Sequence, residues 1–175
     1  MKNPLTSECI AVLQQGAAVL QRLDDTQYNS TRGLPVRSGV GAHFRHCLEF
    51  YDNFLNGVAE SRVDYQRRER DPLTETDREF ALTKIAATID ALENLPAHDG
   101  AIALLVRVED AAIDSWRNSS VGRELQSLLS HTIHHYALIA LMLRLNGVEP
   151  GAEFGVAPST LDYWNSQSAS KVCAR

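Results

Sequence analysis

The sequence predicts an all-α fold, a four-helix bundle with a small β-hairpin set before the last helix. Three observations predict it. Apolar residues recur at three- and four-residue steps in four separate segments. Between the third and fourth segments the pattern changes to alternation, as in a strand. A chain of 175 residues, 44% of them hydrophobic, makes a single domain whose folding hides roughly 70% of the unfolded surface, so a core can form without disulfide or metal staples.

The first helix is expected over about residues 6–25, with Ile10, Leu13, Ala17, Leu20 and Leu23 on its apolar side. The stretch "YNSTRGLPVRSG" ends it, because Gly33 and Pro35 break a helical path. Ser38 is the expected N-cap of a second helix over about residues 40–59. Its stripe is Val40, Cys47, Tyr51, Phe54 and Val58. Arg45, Glu49, Asp52 and Asn56 lie opposite, and Glu49 reads as a solvated charge. "YQRRER" follows at residues 65–70. It is basic but short, with Glu69 inside it and Asp64 and Asp71 beside it, and reads as a solvated loop.

Thr76 and Glu79 have the spacing of a capping box, which places the start of a third helix at Thr76, with Pro72 upstream. It runs to about Leu95 on an Ile85, Ile89 and Leu92 face and stops before Pro96. "AIALLVRVED" then alternates Ile102, Leu104, Val106 and Val108 against smaller or polar residues, and "AAIDSWRNSS" returns as a second strand. The hairpin is expected between about residues 101 and 119, leaning on the helices because two strands alone are marginal. The fourth helix spans about residues 120–146, with Gly147 as its left-handed stop. The connections are long, about a dozen residues or more, and allow crossovers between helices. Residues 1–147 thus form the bundle. Residues 148–175 are a C-terminal segment packed on it through Phe154, Leu161, Tyr163 and Trp164, with Tyr163 and Trp164 as its main anchors and the last ten residues frayed.

The net charge of −5 argues against a nucleic-acid partner, since such proteins carry a basic face. No apolar run approaches the roughly 18 residues of a membrane span, and the N-terminus lacks a secretory pattern, so a cytoplasmic protein that enters no membrane is expected. Cys9, Cys47 and Cys173 are odd in number and widely spaced, which is no disulfide framework; Cys47 falls on an apolar face as a small hydrophobe.

"SHTIHHYALIA", residues 130–140, puts three histidines on the most apolar helix. At 100° per residue, His131 and His135 fall about 40° apart on one edge of the apolar face, and His134 is about 100° from His135. Histidines four residues apart can place two imidazoles on one ion, as in the H-E-x-x-H zinc helix, although Thr132 stands here instead of the glutamate. A third ligand is then needed, and the second helix offers His43 near the centre of its apolar face and His46 at the edge. The wheel does not choose between them. Neutral imidazoles in a core require partners for both ring nitrogens, and one cation satisfies several at once. His98 is isolated in the loop after Pro96 and has no ligand reading.

The segments "RHCLEFYDNFL" and "HTIHHYALI" together resemble the DinB-like (YfiT-like) metal-binding four-helix bundles, whose last-helix motif often reads H-x-x-H-H-R-G-Q. The histidines match in full, while Tyr136, Ala137 and Leu138 stand where the Arg-Gly-Gln would be. The resemblance covers about residues 6–146. It implies a metal site of His46, His131 and His135, with His43 an extra and His134 outside. It implies a divalent transition metal, Zn, Ni or Fe. Thiol-dependent transferases and isomerases of this fold imply a metal-dependent enzyme acting on a small molecule by thiol transfer or hydrolysis, with a low-molecular-weight thiol as co-reactant. The expected partners are that small-molecule substrate and a second copy of the chain in a homodimer. The alternatives are a non-catalytic metal-binding module and a helical bundle that binds a partner. Neither a catalytic residue nor a thiol-binding residue is assigned by the resemblance. Tyr136 reads as packing.

Overall fold

The computed structural model describes residues 3–31, 38–67, 69–96, 100–107 and 116–172, with the backbone alone for 168–172. Four long helices carry the fold: α1 (Pro4–Leu20), α3 (Val40–Val58), α5 (Arg78–Glu93) and α6 (Val121–Leu145). α1 and α3 each pack against both α5 and α6, so α1 faces α3 and α5 faces α6 across the diagonals of the bundle. Chain order is therefore not neighbour order, as the long connections allow. Leu13, Leu20, Phe44, Tyr51, Phe54, Ile85, Leu92, Leu125, Tyr136 and Ile139 fill the centre. Among the described residues no helix is long and apolar enough to cross a membrane.

Several boundaries differ from the sequence reading, each for a local reason. The first helix stops at Leu20 and not near residue 25. Asp24 accepts the Gln27 N–H at 2.7 Å while the Gln27 side chain accepts the Asp24 N–H at 2.9 Å. That capping box starts a separate short helix, α2 (Asp25–Asn29). Its Tyr28 is buried and donates to the Thr74 carbonyl at 2.5 Å. The N-cap of α3 is Gly39, not Ser38, and no side chain caps it. A Cβ at Gly39 would lie 3.0 Å from the Ser30 carbonyl oxygen, so the backbones meet too closely there for a larger cap. Gly33 and Pro35 lie outside the described residues.

Thr76 does not cap the third helix. It closes a one-turn helix, α4 (Pro72–Thr76), by donating to the Pro72 carbonyl at 2.9 Å. Asp77 instead accepts the Phe80 N–H at 2.9 Å and starts α5. The hairpin is present as β2 (Ala103–Arg107) and β3 (Arg117–Ser120), antiparallel with Ala103 opposite Ser120. Val108 and residues 109–115 lie outside the described residues, as does His98. A strand that the sequence pattern did not suggest, β1 (Arg62–Asp64), pairs in parallel with β2 and makes the sheet three-stranded. Asp64 ion-pairs with Arg107, and Arg62 and Arg107 both lie over the Trp116 ring. This third strand overcomes the marginal stability of an isolated hairpin.

"YQRRER" is not wholly a solvated loop. Tyr65 is buried and stacks on Phe50 with centroids 5.2 Å apart; Arg68 lies outside the described residues. Ser120 caps α6, and Gly147 ends it at φ +75°, as expected. The C-terminal segment touches the bundle through Phe154, which is buried and stacks on Tyr136 at 4.7 Å. Tyr163 and Trp164 are not anchors, being 60% and 48% exposed on α7 (Pro158–Val172). Helical backbone continues to Val172, where a frayed end is expected, and Cys173 lies outside the described residues.

Candidate metal centre

α3 and α6 pack against each other along their length and bring two i-to-i+3 or i-to-i+4 histidine pairs face to face. From α3 come His43 and His46, and from α6 His131 and His135; all four are half-buried. The Nε2 atoms of His46 and His131 are 3.1 Å apart, as are those of His131 and His135. Three ring nitrogens, one from each of His46, His131 and His135, lie within 4.8 Å of one another. The three ring centroids form a nearly equilateral triangle of 4.8, 4.6 and 4.5 Å, with the planes inclined at 63°, 68° and 72°. The rings therefore stand as blades around one point.

Nitrogens bound at 2.0–2.1 Å to one cation, at angles between octahedral and tetrahedral, sit about 2.9–3.3 Å from each other. The 3.1 Å separations fit that range. Without a cation the same contacts must be made by protons shared between nitrogens, since each contact needs one donor and one acceptor. The donor set is all nitrogen, which suits a borderline transition metal. A three-histidine group in this arrangement can hold a metal ion.

His43 occupies a different place. Its Nδ1 lies 2.8 Å from Nδ1 of His135, the ring nitrogen that faces away from the triangle. His134 is exposed and contacts His135 edge-on at 5.2 Å, outside the three-histidine group. Phe50 closes one side, 4.4 Å from His131 and 5.0 Å from His46. Burial, followed by the neighbouring His131, His43 and His134, pushes His135 down to about 3. Burial, then His134, also lowers His43. Both effects disfavour imidazolium at these two residues and favour the neutral form that ligates metals.

Residues near the cluster sort by their packing. Glu49 is not a solvated charge: it is buried and pairs with Arg45 at 3.3 Å, and Arg45 pairs with Glu75 at 3.0 Å. That pair lines a cleft of about 670 Å³ that has no histidine on its wall among the described residues. Cys47 is buried, and burial pushes its thiol far up, as for an inert core residue. Tyr136 is buried against Phe44 and Phe154, and a Cβ at Gly16 would overlap its hydroxyl, so Gly16 is required by this close approach. A second cleft, about 310 Å³, reaches His131 and has Phe50 and Tyr65 on its wall. Sequence reasoning missed the Nδ1 contact of His43, although its three-residue spacing from His46 was the available signal. The Tyr65 wall had no local signal, because β1 exists only through its pairing with β2.

The family model of the DinB superfamily matches residues 11–139, which include all four clustered histidines. The chain is 32% identical over 109 residues to "FK506-binding protein 5" of the fungus Rhizopus delemar, a match covering 60% of this chain and 28% of that protein. The chain thus spans little more than a quarter of the length of this relative. No solved structure matches.

Proposed function

The chain belongs to the DinB superfamily, and on that premise we propose that it is a metal-dependent enzyme of the YfiT-like kind, acting on a small molecule by thiol transfer or hydrolysis. His46, His131 and His135 are the metal ligands. The observation that carries this reading is the blade-like convergence of their rings, with Nε2 separations of 3.1 Å. A zinc, nickel or iron ion held there would supply Lewis acidity, lowering the pKa of water toward about 7 or orienting a thiolate.

The protein's own part is to fix the donors and to shape the surroundings. With Nε2 of His135 given to the ion, its proton would reside on Nδ1 and be donated to Nδ1 of His43, 2.8 Å away. His43 then plays the role that carboxylates and carbonyls play behind ligand histidines elsewhere, holding ring angle and tautomer. Phe50 excludes water from one side of His131 and His46. Three protein ligands leave a position for a reacting group, which is the pattern of catalytic rather than structural zinc.

The test is metal analysis of protein purified without chelator or affinity tag. One divalent ion per chain is expected, and His46→Ala, His131→Ala and His135→Ala should each lose it. Full metal content in all three variants would end the reading. Loss in His43→Ala alone would move the ligand set on α3 by one turn.

A further inference from the structure

The smaller cleft joins a metal-site histidine to a polar corner that is short of partners. On α6, Glu124, Ser127 and His131 line it at steps of three and four residues. They share one side of the helix, with about 10 Å of rise between the first and the last. Phe50 spans that length, its ring 5.2 Å from Tyr65 and 4.4 Å from His131. The wall between the two ends is therefore aromatic, and Val106 and Leu128 add apolar surface. A volume of about 310 Å³ suits a small organic molecule.

Two buried groups make the polar corner, and both line the cleft. Tyr65 is 5% exposed, and its hydroxyl makes no hydrogen bond of ordinary length and angle among the described residues. Glu124 is 6% exposed, and the donor described for its carboxylate is the Ser119 hydroxyl. Glu124 is close enough to act on the Tyr65 phenol: burial raises it most, then the Glu124 carboxylate, and Arg123 acts against both. A buried hydroxyl or carboxylate left short of partners is unfavourable, and a carboxylate has lone pairs for several donors. One donor and one acceptor thus stand near each other at the end of an apolar slot. Arginines do not fill the corner: Arg123 is exposed, and Arg117 is already engaged.

We propose that this cleft binds a neutral molecule through a carboxamide, its C=O accepting from the Tyr65 hydroxyl and its N–H donating to the Glu124 carboxylate. The body of the molecule lies along Phe50, and its other end is directed at His131. A carboxamide carries its acceptor and its donor on neighbouring atoms, so one group meets both needs. An N–H given to a carboxylate is a charge-assisted contact. A ligand carboxylate in the same place would be repelled by Glu124, and a ketone would bring no donor to it. That the bound molecule is the substrate of a metal-dependent reaction rests on the reading above; its capture at Tyr65 and Glu124 does not.

The probes are benzamide, acetophenone and benzoate, matched in shape and different in the group they offer. Binding is measured by calorimetry on the full chain, metal-loaded and chelator-treated, with metal content and urea midpoint determined in parallel. Wild type should bind benzamide about tenfold more tightly than acetophenone, the scale of one charge-assisted contact, and benzoate more weakly than benzamide. Tyr65→Phe keeps the ring and removes the hydroxyl. It should weaken benzamide several-fold without lowering the urea midpoint. Glu124→Gln should narrow the gap between benzamide and benzoate, with metal content unchanged. His131→Ala should lose metal and keep the benzamide preference. Equal binding of benzamide and acetophenone by wild type would overturn the proposal. So would full benzamide affinity in Tyr65→Phe, or a lowered urea midpoint there, since the hydroxyl would then serve the fold. A wild type that prefers benzamide but holds no metal would keep the carboxamide cleft and remove the metal reading.

Discussion

Two pairs of side chains on α6, one residue out of step, have opposite fates. Thr132 and Tyr136 turn into the bundle and are fully buried. The Thr132 hydroxyl donates to the Leu128 carbonyl at 2.7 Å and lies 3.3 Å from the Tyr51 hydroxyl. Tyr136 is wedged between Gly16, Phe44 and Phe154. His131 and His135, rotated by about 100° from them, reach the edge of the same interface and are only half-buried. The close polar contacts described for them are with other imidazoles. The first pair is completed by the backbone and by packing, and serves stability. The ring-nitrogen contacts described for the second pair are with groups of its own kind, which a cation can replace. Burial alone does not separate structure from function on this helix; the chemistry of the partner does.

The comparison can be broken from either side. Tyr136→Ala should have the largest effect. Removing a buried aromatic ring costs about 3–5 kcal/mol, read as a lower urea midpoint. Folded protein of this variant should still bind metal, because Tyr136 lies outside the triangle of rings. A variant of unchanged stability would show that the interface is held by the histidines instead.

His43→Ala sharpens the role of the outer contact. Loss of a partner behind a ligand histidine typically weakens metal binding about 10–100-fold. Competition with a chromogenic chelator measures it, and stoichiometry at saturating metal should stay at one ion. Unchanged affinity would mean that the 2.8 Å contact with His135 does not orient the ligand.

Acid should act on the histidine pair and leave the threonine–tyrosine pair alone. His135 titrates near 3 in the folded chain and near 6.5 when unfolded, so below 6.5 the unfolded chain takes up the proton first. Stability of the chelator-treated protein should therefore fall as pH drops from about 6.5 toward 3, and His43, lowered in the same direction, adds to the fall. Urea midpoints across that window check this, and His135→Ala should flatten the dependence. A stability that rises with acid would contradict the assigned direction.

His134→Ala should do least. The ring is exposed and touches the cluster only edge-on. Metal content and urea midpoint should both match wild type, and a loss of metal would enlarge the ligand set.

Much of this was legible because it is local. The 3.6-residue spacing located the four long helices, the alternation of Leu104 and Val106 located β2, and Ser120 and Gly147 marked the ends of α6. The i-to-i+4 spacing of His131 and His135 put two imidazoles on one edge. Caps were less legible, since Asp77 both ends α4 and caps α5, while the Thr76 hydroxyl bonds back to Pro72 within α4. At the tail, Tyr163 and Trp164 looked like anchors on composition, but the buried aromatic that stacks on Tyr136 of α6 is Phe154.

By itself the sequence determined the helices, the hairpin and the histidine-bearing edge of α6, because spacing along one element follows from helix and strand geometry alone. Only the tertiary structure decided which nitrogen of which imidazole meets which. A helical wheel gives the direction of a side chain from its own axis and says nothing of how deep the facing helix sits. The packing of α3 on α6 set that depth, directing His46 Nε2 into the triangle and His43 Nδ1 to the back of His135. The same holds for Arg62–Asp64, Tyr65 and Arg117, which are distant in the chain and share a sheet and a cleft only because β2 lies between the two strands.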